Sequence, residues 1–154
     1  MPVKKYAKSK GRIILAGCLV INKKREVLLL YRKKHGHYET PGGRVRTEEC
    51  SNPENPTIDD LLKTAKRELF EELGDDIKVE QLEYFGKVAF TIPDGRLAIA
   101  NKFVTKILSG KPKVNEPGDF STFDYLPIET LEKYPISPDL KLLIPKLKEL
   151  LPLF

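Results

Sequence analysis

Cysteine, histidine and long apolar runs are scarce in this chain of 154 residues. Its two cysteines, Cys18 and Cys50, stand far apart without the spacing of metal ligands, so we expect neither a disulfide nor a metal–thiolate site. Its two histidines, His35 and His37, flank one glycine. No third or fourth ligand lies within sequence reach of them, which favours a polar loop over a zinc site. The cysteine usage indicates a reducing compartment, and we predict a cytoplasmic location.

No apolar stretch reaches the ~18–20 residues that a membrane-spanning helix requires, so no membrane partner is expected. The basic segment 1–10 is not followed by the apolar core and cleavage site of a secretory signal, and the apolar segment 13–21 is predicted to be a buried strand. Internal repeats and low-complexity tracts are absent as well. With 32% charged and 40% hydrophobic residues, the composition predicts one globular domain over residues 1–154.

The net charge of +5 raises the question of nucleic-acid binding. The lysines are scattered in small clusters, and no recognised nucleic-acid module frames them. Basic charge alone mostly reports non-specific affinity, so dedicated nucleic-acid binding is not expected. A basic surface also draws in phosphorylated small molecules, which is the interpretation we favour.

Against this positive charge, three glutamates fall within five residues, at Glu68, Glu71 and Glu72. On a helix, positions i, i+3 and i+4 share a face, so these carboxylates should crowd together and repel one another. A hard divalent cation offsets that repulsion, and Mg²⁺ or Mn²⁺ takes oxygen ligands. The alternative is a solvated acidic face of a surface helix.

The order of predicted elements indicates an α/β fold. Thr57 is a candidate N-cap, with Asp60 completing a capping box, for a helix that ends at Leu73 and is capped by Gly74. A second helix should open at Ser137–Pro138, and Pro145 should kink or divide it. The other expected elements are strands at 13–21, 27–32, 77–86, 87–92, 96–108 and 123–126, an extended piece at 38–40 and a short helix at 128–134. This order suggests an α/β/α sandwich around a mixed β-sheet.

Two segments before the long helix complete the pattern. Pro41-Gly42-Gly43 predicts a glycine turn, in which positive φ angles are one reason for the glycines. Residues 46–56 are polar, contain two prolines and show no periodicity, so they are interpreted as an exposed loop, with an insertion at about 50–57.

Together, Gly43, Glu49 and the run Arg67 to Gly74 resemble the signature box of the Nudix hydrolases. That pattern runs Gly, five residues, Glu, seven residues, then Arg-Glu-aliphatic-x-Glu-Glu-x-Gly-aliphatic. This chain has 17 residues between Glu49 and Arg67, and Asp75 takes the final aliphatic position. The sandwich expected from the element order is of the Nudix kind.

The resemblance implies an Mg²⁺-dependent enzyme, with Mn²⁺ as a substitute, in which water attacks a phosphorus of a nucleoside diphosphate derivative. It implies metal ligation by the three glutamates and the Gly42 carbonyl, with Glu68 preferred as the residue that orients or deprotonates water. Arg67 would pair with Glu49 or Glu71 and hold the carboxylates in place. The complete set of candidate catalytic residues is Glu49, Arg67, Glu68, Glu71, Glu72 and Glu116.

The substrate contacts are less specific. Arg32, Gly43 and Phe120 are the candidates, and His35 and His37 could touch substrate from the mouth of the site. Glu116 lies in an acidic loop like one that many Nudix relatives carry, and Asp119 is the competing loop acid. An exposed acid without a catalytic role is about as consistent with the sequence.

The identity of the substrate stays open at this point. A compact domain favours nucleoside triphosphates, including oxidised ones. ADP-ribose or a nucleotide sugar is the second alternative, since Pro93 resembles a proline of the ADP-ribose hydrolases, and RNA 5′-end processing is the third. A Nudix module that binds a nucleotide without cleaving it is disfavoured, because such modules usually lose glutamates of the box. The oligomeric state is also open, with a homodimer as one alternative.

Overall fold

The computed structural model describes residues 5–150, within which ten β-strands and two α-helices form. The helices are α1, Ile58–Leu73, and α2, Pro138–Leu150, and short 3₁₀ turns occur at Thr47–Glu49 and Ile128–Lys133. The strands are β1 Lys8–Ser9, β2 Arg12–Val20, β3 Glu26–Arg32, β4 His37–Glu39, β5 Gly42–Arg44, β6 Lys78–Val79, β7 Glu83–Thr91, β8 Leu97–Thr105, β9 Ile107–Ser109 and β10 Phe120–Pro127.

The central sheet is mixed, as the sequence predicted. Its strand order is β1-β2-β8-β7, and β5 also pairs with β2. The β2–β8 pair is parallel, whereas β7 runs antiparallel to β8 and β5 antiparallel to β2. A second, antiparallel sheet has the order β10-β3-β4, and β6 pairs with β9.

Side-chain alternation along β2 and β3 builds a hydrophobic core on each side of the strands. On β2, Ala16 and Cys18 belong to the core that α1 covers, whereas Leu19, and Ile21 just after the strand, belong to the core that α2 covers. Leu28 and Leu29 of β3 divide in the same way. The result is the α/β/α sandwich predicted from the order of the elements.

Helix α1 begins and ends where the sequence predicts. The Thr57 side chain accepts a hydrogen bond from the Asp60 amide at 3.2 Å, and the Asp60 carboxylate accepts one from the Thr57 amide at 3.0 Å. Gly74 ends the helix with φ +85°, a value that favours glycine. The buried apolar side chains Leu61, Ala65, Leu69 and Leu73 of α1 face the first core.

The strands after α1 are divided differently from the prediction in two places. The predicted strands 77–86 and 87–92 are instead the short β6 and one long strand, β7, whose register shifts between Tyr84 and Gly86. The predicted strand 96–108 is divided into β8 and β9, which pair with different neighbours. Of the two expected effects of Pro145, division of α2 does not occur: the helix is continuous, and Pro145 lies on its exposed side, where water can satisfy the carbonyl that the proline leaves free. Neither α1 nor α2, the two α-helices of residues 5–150, is long and apolar enough to span a bilayer.

The segment before α1 gives the first prediction. Residues 51–56 contain no helix or strand, and their contacts with the rest of the protein include a hydrogen bond from the Lys8 amide to the Pro53 carbonyl at 3.2 Å and one from the Ser51 backbone to the Asp60 carboxylate. Deleting residues 51–55 while keeping Thr57 should leave most of the free energy of unfolding intact, because loop length changes closure entropy slowly. Circular dichroism during thermal unfolding would measure this.

A matched control replaces residues 51–55 with five glycine and serine residues, which tests their side chains at unchanged length. A changed substrate preference in the deletion variant would indicate that the loop shapes the site. Global unfolding of the deletion variant, with the glycine–serine variant folded, would show that this segment is a structural element rather than an insertion.

Candidate active site

Arg67 of α1 connects three carboxylates and one carbonyl. Its Nε and Nη2 donate to the two Glu49 oxygens at 2.9 and 3.0 Å, and its Nη1 donates to Glu68 Oε1 at 2.7 Å and Glu71 Oε2 at 3.2 Å. Its Nη2 also donates to the Arg44 carbonyl at 3.1 Å. Burial alone would lower the pKa of Arg67, but the hydrogen bonds to Glu49 and the charge of Glu68 raise it above its ordinary value. The structure thus brings Arg67 against both partners expected from the sequence, Glu49 and Glu71.

Glu49 fixes the other end of this network from the 3₁₀ turn at Thr47–Glu49. Its Oε1 accepts hydrogen bonds at 3.0 Å from the Arg46 amide, the Thr64 hydroxyl and Arg67. Burial would raise the pKa of Glu49, but these hydrogen bonds lower it. The carboxylate is therefore held ionised as a support for Arg67.

Gly42 and Gly43 lie in the extended strand β5 and not in the predicted turn, and neither has a positive φ. Their role is close approach. A Cβ on Gly43 would lie 2.5 Å from Glu68 Oε1, and a Cβ on Gly42 would lie 2.9 Å from the Ala16 carbonyl oxygen. The Gly42 amide also donates to Glu72 Oε2 at 3.0 Å. Gly43 thus leaves room for the Glu68 carboxylate against β5, whereas Gly42 lets β5 lie close to β2 and binds Glu72 through its amide.

Glu72 is the most buried of the three α1 glutamates. Burial, followed by the negative charge of Glu68, raises its pKa well above the ordinary value, against the lowering effect of the Gly42 amide. Glu116 adds to this rise, and Arg32 partly offsets it. Glu72 thus lies in a buried position beside a second carboxylate, where its ionised form would be favoured by a nearby cation.

The loop 110–119 is bonded to the carboxyl end of α1. The Lys113 amide donates to the Leu73 carbonyl and the Asn115 amide to the Glu72 carbonyl, both at 3.0 Å. The Asn115 side-chain amide donates to the Glu71 carbonyl at 2.9 Å. These bonds satisfy helix-end carbonyls that would otherwise lack partners.

This loop carries Glu116 to the glutamates. Burial, and then the charges of Glu68 and Asp119, raise the pKa of Glu116. Glu116 is half-buried, whereas Asp119 is exposed. On its other side the loop is bonded to the end of β3, because Lys33 Nζ donates to the Pro117 carbonyl at 2.8 Å and the Lys33 amide to the Asp119 carbonyl at 3.2 Å.

The three predicted substrate contacts differ in their positions. Arg32 and Gly43 line a cavity of about 650 Å³ that opens beside β5, referred to below as the large cavity. Phe120 does not line it, since its side chain is 2% exposed and packs in the first core. The guanidinium of Arg32 lies 4.6 Å above the Phe120 ring. The prediction of Phe120 as a direct contact is therefore corrected: its ring supports Arg32, and the aromatic ring that lines the large cavity is Phe90.

Both apolar and polar side chains line the large cavity. The apolar ones include Ile13, Leu15, Phe90 and Ile92. The following buried polar residues also line it: Thr40, Lys102, Ser137 and Asp139. A lining that combines apolar surface with fixed polar groups is typical of small-molecule sites.

Lys102 and Asp139 are a buried ion pair that sequence reasoning missed. They are 5% and 8% exposed, and Lys102 Nζ lies 2.9 Å from Asp139 Oδ2 and 2.6 Å from the Thr40 hydroxyl. Burial would raise the pKa of Asp139, but Lys102 lowers it below its ordinary value. The sequence did contain a local indication of this pair. Lys102 follows Asn101 inside a largely apolar strand, where a buried charged residue needs a partner.

A family model for the NUDIX domain matches residues 11–147. No curated protein matches the chain. Among solved structures, the MutT NUDIX hydrolase from Burkholderia pseudomallei is 21% identical, with 87% of this chain and 96% of that one covered and a TM-score of 0.70. The MutT protein from Methanosarcina mazei Go1 is also 21% identical, covers 92% and 95%, and has a TM-score of 0.68.

A third similar structure is the NUDIX domain of Shewanella oneidensis NrtR complexed with ADP ribose. It is 18% identical, covers 91% of this chain and 88% of its own, and has a TM-score of 0.66. At such identities the structural likenesses establish a shared fold. The family model covers most of the chain, and the chain therefore belongs to the NUDIX domain family. This membership confirms the predicted class of enzyme, a Nudix hydrolase that acts on phosphoric anhydride bonds.

Proposed function

We propose that the chain is a Mg²⁺-dependent pyrophosphohydrolase of a nucleoside diphosphate derivative, with nucleoside triphosphates, including oxidised ones, as the favoured substrates. The observation that carries the proposal is the contact of Glu68 and Glu72 with the Gly42–Gly43 backbone beside the large cavity. That arrangement puts carboxylates at the edge of a space that can hold a nucleotide.

The donor set fits a hard divalent cation. Glu68, Glu71 and Glu72 would supply carboxylate oxygens and Gly42 its carbonyl, all of them ligands that Mg²⁺ or Mn²⁺ prefers. The contacts of Glu68 and Glu72 with the Gly42–Gly43 backbone, which bring two carboxylates and the Gly42 residue together, support such a site. When bound, the cation would neutralise charge that develops on the phosphates during hydrolysis.

The remaining residues would position the carboxylates and the substrate and would activate the attacking water. Arg67, supported by Glu49, would hold Glu68 and Glu71 in fixed geometry, since each is within 3.2 Å of its guanidinium. We assign Glu68 the preferred role of orienting or deprotonating the attacking water, and Glu116 the role of a further acid supplied by the loop. Arg32 would contact a phosphate oxygen from the wall of the large cavity.

ADP-ribose or a nucleotide sugar is the second candidate substrate. Two observations favour it: the solved Shewanella oneidensis domain is complexed with ADP ribose, and Pro93 lines the large cavity. The cavity volume of about 650 Å³ suits either class of substrate.

We also propose a cytoplasmic location and retain a homodimer as an alternative assembly.

A nucleotide panel tests the proposal. The purified chain would be assayed with nucleoside triphosphates, oxidised nucleoside triphosphates, ADP-ribose and nucleotide sugars, each with Mg²⁺, with Mn²⁺ and with chelator. We expect cleavage that requires the added cation and is fastest on a triphosphate. Faster cleavage of ADP-ribose would select the second candidate. Cleavage that chelator leaves unchanged would contradict the assigned metal dependence.

The loop acids give a separate prediction. Glu116→Gln should lower kcat at least about tenfold, or ~1.4 kcal/mol of transition-state stabilisation, because Glu116 faces Glu68 from a loop that can close over substrate. Asp119→Asn, the matched control, should do less, because Asp119 is exposed. Steady-state kinetics of both variants on the best substrate would measure the difference. If kcat falls strongly in Asp119→Asn and is unchanged in Glu116→Gln, Asp119 is the loop acid instead of Glu116. If kcat is unchanged in both variants, catalysis is carried by the α1 glutamates and Glu49 alone.

A further inference from the structure

His35, His37 and Glu39 converge beside the large cavity, although the sequence showed no third ligand for the histidine pair. His37 and Glu39 lie two residues apart on β4 and therefore share one face of the strand. Gly36, with φ +65°, turns the chain so that His35 lies over the same face. The two imidazole rings lie 5.2 Å apart at an interplanar angle of 61°. Two imidazoles and one carboxylate thus surround a single point.

The distances fit a transition metal. His37 Nε2 lies 3.3 Å and His35 Nδ1 3.5 Å from the same atom, Glu39 Oε1, and all three atoms lie within 4.8 Å of one another. Zinc binds nitrogen and oxygen at about 2.0–2.1 Å in a tetrahedron, so its neighbouring ligand atoms stand roughly 3.3–3.4 Å apart. Side-chain adjustments alone would therefore bring the three atoms to ligand distance.

Arg32 supports the carboxylate from its other side. Its Nε donates to Glu39 Oε2 at 2.6 Å and to Oε1 at 2.9 Å. The shorter of these hydrogen bonds is to Oε2, and the other oxygen, Oε1, is the one that faces both histidines. Carboxylates that bind metals are commonly oriented by such an outer hydrogen bond, which here would keep the ligand in place.

We propose that His35, His37 and Glu39 form a second metal site, which takes a divalent transition metal such as Zn²⁺. Imidazole ligands select zinc and its neighbours, whereas Mg²⁺ prefers all-oxygen sets such as that of the α1 glutamates. Three protein ligands leave one tetrahedral position open, as in zinc sites that bind an exchangeable ligand. Since all three residues line the large cavity, that position would take water or an anionic oxygen such as that of a phosphate.

Zinc binding to the full chain, without nucleotide, tests this site separately from the proposed hydrolysis. After removal of metals by chelator, calorimetric titration with ZnCl₂ should show one site that MgCl₂ does not displace. His37→Ala and His35→Ala should each weaken zinc binding at least about tenfold, the effect expected for loss of a ligand. Lys34→Ala, on the same turn, and Glu72→Gln, in the α1 glutamates, are the matched controls and should retain it.

Cobalt provides a second readout. Co²⁺ added to the wild-type chain should give the intense visible absorption of tetrahedral coordination, and the two histidine variants should lose it while their circular dichroism stays unchanged. Zinc affinity that is equal in wild type and both histidine variants would overturn the proposal. So would zinc binding that is lost in Glu72→Gln, because the metal would then occupy the glutamate site. In either event the three side chains form only a hydrogen-bonded group around Glu39.

Discussion

Replacing Glu72 with glutamine is expected to lower turnover at least about hundredfold, or ~2.7 kcal/mol of transition-state stabilisation, while the protein stays folded. Glutamine keeps the hydrogen bond that the Gly42 amide donates at this position, so the contact between α1 and β5 should survive. What is lost is the charged carboxylate that would bind the cation. Glu71→Gln should also lower turnover by orders of magnitude for the same reason.

The measurement is kcat on the best nucleotide of the panel at saturating Mg²⁺, with circular dichroism as the check on folding. Glu48→Gln is the matched control, because the Glu48 side chain is 74% exposed and lies outside the Arg67 network. It should retain nearly full activity. Near-normal turnover in both Glu71→Gln and Glu72→Gln would remove these two residues from the proposed site.

Removing one partner of the Lys102–Asp139 pair should destabilise the protein by about 3–5 kcal/mol, because the remaining charge would be buried without compensation. Asp139→Asn and Lys102→Met test the two sides. The double variant should recover part of that loss, since it leaves no uncompensated buried charge. Urea unfolding followed by circular dichroism would give the three free energies.

Lys148 and Glu132 supply the matched control for this experiment. Their ion pair is 3.0 Å long but exposed, so Glu132→Gln should destabilise the protein much less than Asp139→Asn does. A similarly small cost for Asp139→Asn would show that the buried pair contributes no more than a surface pair does.

The same pair predicts a dependence of stability on pH. Lys102 holds the folded pKa of Asp139 below its ordinary value near 3.8, despite the opposing effect of burial. The stabilisation is therefore present above pH ~3.8 and is lost as the pH falls from there through the lower folded pKa. Asp139→Asn should lack this contribution, so the difference in unfolding free energy between wild type and variant should shrink in acid.

Local features of this fold were predictable because neighbouring residues determine them. The capping box of Thr57 and Asp60 and the terminal Gly74 depend on contacts within a few residues, so the bounds of α1 follow from the sequence. The convergence of Glu68 and Glu72 also follows from helix periodicity, because their spacing puts them on one face.

Features that depend on distant pairing were not predictable in this way. The glycines at 42 and 43 form a strand rather than a turn because β2 pairs with them from 25 positions or more upstream. Asp139 of α2 lies 37 positions (139 minus 102) after Lys102 of β8, so no local pattern pairs them. Phe120 illustrates a third case: nothing in its local sequence distinguishes an aromatic ring that faces a cavity from one that packs beneath an arginine.

The loop 110–119 is, in effect, the carboxyl-terminal cap of the helix that carries the glutamates. The amides of Lys113 and Asn115 can exchange with deuterium only when they release the carbonyls of Leu73 and Glu72. An opening that lifts the whole loop, with Glu116, away from the site breaks these same bonds and frees the last turn of α1. Opening of the loop and fraying of the helix end are therefore one linked equilibrium. A ligand that holds Glu116 in place should also slow amide hydrogen exchange at the end of α1.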